Sequence, residues 1–164
     1  MASIKPPFTL ESATQKLKFA QSMWNTQNPT QVSKGYTPDC TWRNRSSFIK
    51  GTDEIIAFLT KKWEKEKSYR LRKELFCFQD DKIAVQFWYE YQDAHDGMKW
   101  KRCYGLEDWT FDENGKMRKR MMSGNDVLLG KDGDGVAVPE EGIEGRWFVD
   151  SVDVEDVHIS EKHY

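Results

Sequence analysis

Glu107 is the residue of this chain best placed to do chemistry. It sits in the strand-like run Met98-Lys-Trp-Lys-Arg-Cys-Tyr-Gly-Leu-Glu-Asp-Trp-Thr-Phe111. Alternate residues of a strand share a face, so Cys103, Gly105, Glu107, Trp109 and Phe111 fall together, and four of the five suit a buried surface. A carboxylate in that company must be paired, hydrogen-bonded or protonated, because an unpaired buried charge is costly. In a pocket it would act as general acid or base, or orient a ligand; against an arginine it would close a structural ion pair. Burial raises a carboxyl pKa and arginine lowers it, so the sequence leaves the sign of any shift open.

Other polar groups lie beside aromatic residues. Trp42-Arg43-Asn44-Arg45 puts Trp42 and Asn44 on one strand face and both arginines on the other, while Arg120 and Asn125 fall at the end of the last strand. The candidate ligand-binding set is Trp42, Arg43, Asn44, Phe58, Phe87, Tyr89, Trp109, Arg120, Met122 and Asn125, with Glu107 as the candidate catalytic group. No metal or cofactor is expected. His95, His158 and His163 sit in a turn and a polar tail without a ligand-spaced partner. Asp132-Gly-Asp134-Gly begins like a calcium loop, but Val136 takes the next ligand position. No glycine-rich phosphate loop or nucleophile elbow occurs. The basic run Lys116–Arg120 divides its charges between two strand faces, which argues against nucleic-acid binding.

These residues need elements to position them. Thr9 caps a helix with Leu10, Ala13, Leu17, Ala20 and Trp24 on one stripe, and Asn28-Pro29 opens a short second helix that ends at Gly35. Residues 36–45 read as extended, and a third helix from Thr52 buries Ile55, Ile56, Leu59 and Trp63. From about residue 69 the period becomes two. Residues 70–79 and 82–93 form a hairpin about Asp80-Asp81, and His95-Asp96-Gly97 leads into the strand of Glu107. Asn114-Gly115 then suits a type I′ turn before a last strand, 116–122. Helices followed by an antiparallel meander make an α+β fold.

Ile83, Val85, Phe87, Tyr89 and Tyr91 share one face of the meander; Phe76, Phe78, Trp88, Tyr104 and Leu106 lie on the other among charged residues. Two apolar faces predict a homodimer through the outer one, with Trp88 and Tyr104 near its centre. Residues 1–130 form the folded domain. Residues 131–164, with ten acids against three basic residues, form an acidic, Gly-containing tail whose Trp147-Phe148 and Val152, Val154, Val157 and Ile159 are expected to dock on the domain or on a partner subunit. Three unpaired cysteines, no signal-like N-terminus and no membrane-length apolar run point to a soluble cytoplasmic or nuclear protein with no membrane partner.

Several blocks resemble the uncharacterised family called domain of unknown function 1348: Tyr36 to Arg45 with Phe48 and Gly51, Phe58 to Trp63, Tyr69 to Leu75, Tyr104-Gly105…Glu107…Trp109…Phe111-Asp112, and Asn125-Asp126. The resemblance spans residues 7–129. Leu106 and Asp108 stand where the family usually has asparagine, and Gly124 where it has an apolar residue. It implies the nuclear transport factor 2-like, SnoaL-like architecture: a curved sheet wrapped around helices as a cone with an internal pocket, here lined by Trp42, Phe58, Phe87, Tyr89, Glu107, Trp109 and Met122. Two functions fit. One is a small-molecule-binding protein without chemistry. The other is a cofactor-free enzyme of proton transfer, hydration or hydrolysis, in which Glu107 is the acid or base and an arginine or Asn125 steadies negative charge. The superfamily's name alone adds a transport or scaffold role.

Overall fold

The computed structural model describes residues 3–137 and 145–160. Helix α1 (Leu10–Asn25) starts at a capping box, in which the Thr9 hydroxyl accepts from the Ser12 N–H at 3.1 Å and the Ser12 hydroxyl from that of Thr9 at 2.9 Å. Its buried stripe is Ala13, Leu17, Gln21 and Trp24; Leu10, in the first turn, is exposed. In α2 (Pro29–Ser33) the Asn28 side-chain Oδ1 accepts from the Gln31 N–H at 3.1 Å as the cap. Strands β1 (Tyr36–Asn44) and β2 (Ser47–Lys50) precede α3 (Gly51–Lys65), which begins one residue before Thr52. Its N-cap is Lys50, which makes no side-chain cap; instead the Lys50 N–H donates to the Glu54 carboxylate at 2.7 Å.

The four long strands β3 (Glu66–Gln79), β4 (Lys82–Asp93), β5 (Lys99–Phe111) and β6 (Met117–Leu128) form the meander. They join one open, curved, six-stranded sheet in the order β2-β1-β6-β5-β4-β3. Every pair is antiparallel except β1–β6, which is parallel, with Trp42 opposite Arg120 and Asn44 opposite Met122. A meander fixes neighbours only for consecutive strands, so the docking of β1 on the last strand has no local signal. The turn at Asn114-Gly115 is not type I′, because only Gly115 takes a positive φ (85°). Asp112 holds it instead, its carboxylate accepting from the Asn114 and Lys116 N–H groups at 3.0 and 2.8 Å.

The three helices fill the inner face, and one hydrophobic cluster runs from Ala13, Leu17 and Trp24 through Trp42, Leu59 and Trp63 to Phe87, Tyr89 and Trp109. Gly105 lies on that face because nothing larger fits: a Cβ there would stand 1.9 Å from the Phe87 ring. No described helix is long and apolar enough to cross a membrane.

Part of the outer face is covered by the chain itself. Glu90 and Arg102, paired across β4 and β5, are almost fully buried there, the Arg102 guanidinium donating to Glu90 Oε2 at 2.6 and 3.0 Å. The C-terminal segment completes this pair as a strap. The Trp147 and Phe148 N–H groups donate to the Glu90 carboxylate at 2.9 and 2.8 Å, Arg102 donates to the Gly145 carbonyl at 2.6 Å, and the Trp147 ring stacks 3.3 Å from the guanidinium. Phe148 and Val154 pack on Trp88, while Arg72 donates to the carbonyls of Val154 and Val157 at 2.6 and 3.2 Å. Trp88 is thereby 1% exposed. It cannot form the centre of an interface while the strap is docked, which corrects the expectation for that residue. His163 and the tail glycine Gly142 lie outside the described residues.

Phe148→Ala removes the buried anchor of this strap and is expected to cost about 3–5 kcal/mol, the usual range for a core phenylalanine. Urea unfolding measures it, and limited proteolysis should cut between 145 and 160 in the variant first. Wild-type stability with an equally resistant strap would refute the anchoring role.

Candidate functional site

Inside the cone Glu107 on β5 is held by two cations. Its side chain is fully buried, and those of Lys73 (β3) and Arg120 (β6) are 3% and 4% exposed. Lys73 Nζ donates to Glu107 Oε1, reaching across β4 over the Phe87 ring at 4.7 Å. Arg120 Nε donates to Glu107 Oε2 at 2.8 Å and its Nη1 to Asn44 Oδ1 at 3.0 Å. Aromatic faces enclose both cations. The Arg120 guanidinium lies 4.5 and 4.8 Å from the rings of Trp42 and Trp24, and Lys73 Nζ lies 5.3 Å from that of Trp109.

The electrostatics follow from this packing. Burial alone would raise the Glu107 pKa, but Lys73 and Arg120 outweigh it and hold the carboxyl below its ordinary value. The Trp109 indole N–H stands near the same carboxylate and adds to the lowering, although it falls short of hydrogen-bond geometry. Burial drives the Lys73 amine below its ordinary value, against the pull of Glu107. The Tyr36 hydroxyl, which accepts from Trp24 Nε1 at 3.2 Å, is pushed up by burial although Arg120 draws it down.

A second polar group lies beside it, slightly less buried. Lys62 pairs with Glu66, and its Nζ sits 4.2 Å from the Tyr89 ring, whose hydroxyl donates to Glu66 Oε1 at 3.3 Å. Arg45 links Tyr89 to β6, meeting Asp126 at 2.7 Å and Cys103 Sγ at 3.1 Å. Between the two groups only about 10 Å³ is empty, beside Lys62, Lys73, Arg120, Asn44 and Tyr69. The larger enclosed space, about 260 Å³ and mostly apolar, lies between α1, α2 and the ends of β5 and β6. Phe19, Ala20, Met23, Trp24, Val32, Tyr36, Trp109, Phe111 and Met117 line it, with Lys16 and Lys34 at its rim.

The structure thus brings Trp42, Asn44, Phe58, Phe87, Tyr89, Trp109, Arg120 and Met122 around Glu107, with Phe58 packing edge-on to Trp42 at 6.0 Å. It separates Arg43 and Asn125 from them. Both line an outer-face groove with Tyr104 and Leu106, and Arg43 donates to the Met122 carbonyl at 2.9 Å. Lys73, Trp24, Tyr36 and Gln21 are site residues that the sequence reading passed over. Lys73 had a signal, since it alternates with Tyr69, Leu71 and Leu75 on the inward face. Buried Gln21 had none: it accepts from the Lys73 backbone N–H at 2.7 Å and donates to Glu155 of the strap at 2.6 Å. Among the described residues no group of three or more His, Cys, Asp or Glu side chains could hold a metal ion.

A model of the family described as "Protein of unknown function (DUF1348)" matches residues 6–134, which leaves the strap outside. No curated protein matches the chain. Similar solved structures include SalBIII, an epoxide hydrolase/cyclase-like enzyme in pyran ring formation in the polyether salinomycin, at TM-score 0.65 and 11% identity over 73% of this chain and 97% of that one. A SnoaL-like polyketide cyclase from Shewanella denitrificans gives 0.60 and 15%, over 69% and 90%. A nuclear transport factor 2-like protein of unknown function from Burkholderia pseudomallei gives 0.61 and 16%, also over 69% and 90%. At these identities the likeness shows the fold: a nuclear transport factor 2-like, SnoaL-like cone.

Glu107→Gln keeps the shape and strands two buried cations, so it is expected to cost about 3–5 kcal/mol in urea unfolding. The pH dependence has a fixed sign. A carboxyl with a lowered folded pKa contributes its full stability above its unfolded value of about 4.5 and loses it as the pH falls through the folded value. Acid titration of wild type should therefore show a loss of stability below pH 4.5 that the variant lacks; parallel curves would remove Glu107 from the account.

Proposed function

We propose that this chain, which belongs to the DUF1348 family of proteins of unknown function, is a small-molecule-binding protein whose ligand occupies the apolar space between α1, α2 and the sheet. The observation that carries this reading is the wall of that space: Trp24, Tyr36, Trp109, Phe111 and Met117 enclose about 260 Å³, and the rings of Trp24 and Trp109 also touch the cations of the charged group. Ligand sites of about 300–1,000 Å³ are typically apolar with a few polar groups, and this cavity stands just below that range. A flat, partly apolar molecule fits such a wall. No cofactor is invoked, and the proposed location is cytoplasmic or nuclear.

A second reading, a cofactor-free enzyme of proton transfer, hydration or hydrolysis, draws support from one observation: Lys73, with its lowered pKa, sits against an ionised carboxylate. Against it, Glu107 is held ionised by Lys73 and Arg120, so it has no proton to give as a general acid, and it does not line the apolar cavity. SalBIII, an epoxide hydrolase/cyclase-like enzyme, supplies precedent for chemistry in this fold only by analogy.

Screening organic metabolites by thermal shift tests the binding reading. Flat apolar ligands are expected to raise Tm, and Ala20→Phe, which fills the cavity, should abolish the shift while the protein still melts cooperatively. An unchanged shift in that variant would move the site elsewhere.

Self-association is part of the proposal. With Trp88 covered, the outer face still exposes Leu106 and Phe76, at 58% and 70%. Sedimentation at micromolar concentration is expected to show a homodimer that Leu106→Arg splits; a wild-type monomer would exclude it.

A further inference from the structure

One row of residues runs in register across five strands of the sheet: Phe48 of β2, Arg43 of β1, Met121 of β6, Asp108 of β5 and Ala84 of β4. Residues opposite one another share a face, and their sequence neighbours Trp42, Arg120 and Glu107 are buried on the inner side, so this row lies on the outer one. The strap docks at Glu90 and Arg102, about 20 Å further along β4 and β5, and leaves the row uncovered. Phe48 is 80% exposed, Asp108 is exposed, and Arg43 and Met121 are half-buried.

Both charges of this row lack a counterion among the described residues. Arg43 donates only to neutral acceptors, the carbonyls of Arg45 and Met122 at 3.0 and 2.9 Å and the Ser123 hydroxyl at 3.2 Å. The Asp108 carboxylate makes no hydrogen bond or salt bridge with any described residue. Met121 stands between them, one strand spacing of about 4.8 Å from each. A patch that holds one uncompensated cation, one uncompensated acid and an exposed aromatic ring is complementary to itself. That is the property a two-fold contact between identical chains requires.

We propose that this row is the centre of the homodimer contact, with the two-fold axis running along β6 at Met121, so that Arg43 of each copy pairs with Asp108 of the other. The charges choose the axis. Sheets in aligned face-to-face packing keep their strands within about 30° of each other, and the axis then lies either across the strands or along them. An axis across the strands would set arginine on arginine and aspartate on aspartate, a repulsive arrangement. An axis along β6 exchanges β5 with β1 and brings opposite charges together on both sides of Met121. It also exchanges β4 with β2, which lays the Phe48 ring over Ala84, a side chain small enough to leave room for it. Leu106, two residues before Asp108 on the same face, falls within the contact. The inference rests on the reading of a homodimer through the outer face and adds its axis and its ion pairs.

Sedimentation equilibrium of the full-length protein tests it, with thermal melts to show that each variant is folded. Arg43→Glu and Asp108→Arg each place like charges at both contacts and are expected to raise the dimer Kd at least about tenfold. Mixed in equal amounts, the two variants restore opposite charges at both contacts, and their heterodimer is expected within about threefold of the wild-type Kd. Asp108→Arg alone serves where Arg43→Glu fails to fold, since Asp108 is exposed. Dimers that neither variant weakens, or a mixture no tighter than its components, overturn the axis and the ion pairs while an outer-face homodimer split by Leu106→Arg still stands. A wild-type monomer at micromolar concentration overturns that homodimer and the inference together.

Discussion

Glu107 on β5 meets Lys73 of β3 and Arg120 of β6 in a space where all three side chains are almost fully buried. Such a group is stable only while all its members stay in place, because removing one leaves a buried charge without its partner. The surrounding structure follows from that requirement. β3, β5 and β6 must curve toward one another on the inner face, and β4 must let the Lys73 side chain pass over Phe87. β1 brings Trp42 to one side of Arg120, and α1 brings Trp24 to the other. Trp24, Trp42, Phe87 and Trp109 all turn ring faces to these two cations.

The outer face repeats the arrangement with a different partner. Glu90 and Arg102 lie on the neighbouring strands β4 and β5, and would be solvated on a bare sheet. The strap buries them by offering two backbone N–H groups to the acid and a carbonyl to the arginine, so its path is set by hydrogen bonds and held by Phe148. The two faces are connected. Glu155 of the strap binds Lys18 and Gln21 of α1, and Gln21 in turn holds the backbone of Lys73. A segment outside the matched family region thus reaches, through two contacts, the lysine of the inner charged group.

Much of the inner face was legible because strand alternation is strict. Glu107, Trp109, Phe87, Tyr89, Trp42, Asn44, Arg120 and Met122 fall inside for that reason alone. The same rule exposes two errors. Asn125 stands an odd number of residues from Arg120, and Arg43 neighbours Trp42, so both belong on the far face however close they are in sequence. Lys73 was passed over because a strand lysine is ordinarily solvated, and only a carboxylate two strands away gives it reason to turn in. The parallel joining of β1 to β6, and the hold of the strap on Glu90, depend on pairings between residues more than 50 positions apart, for which no local pattern exists.

The central claim is that Glu107 and Arg120 act as one unit within the core. A double-mutant cycle on Glu107→Gln and Arg120→Met, read by urea unfolding of the full-length chain, addresses it directly. The account predicts that the double variant is less damaged than the two single losses added, by more than about 1 kcal/mol, because removing both charges leaves less stranded than removing either. Losses that add within about 0.5 kcal/mol would show two independent residues and contradict the account.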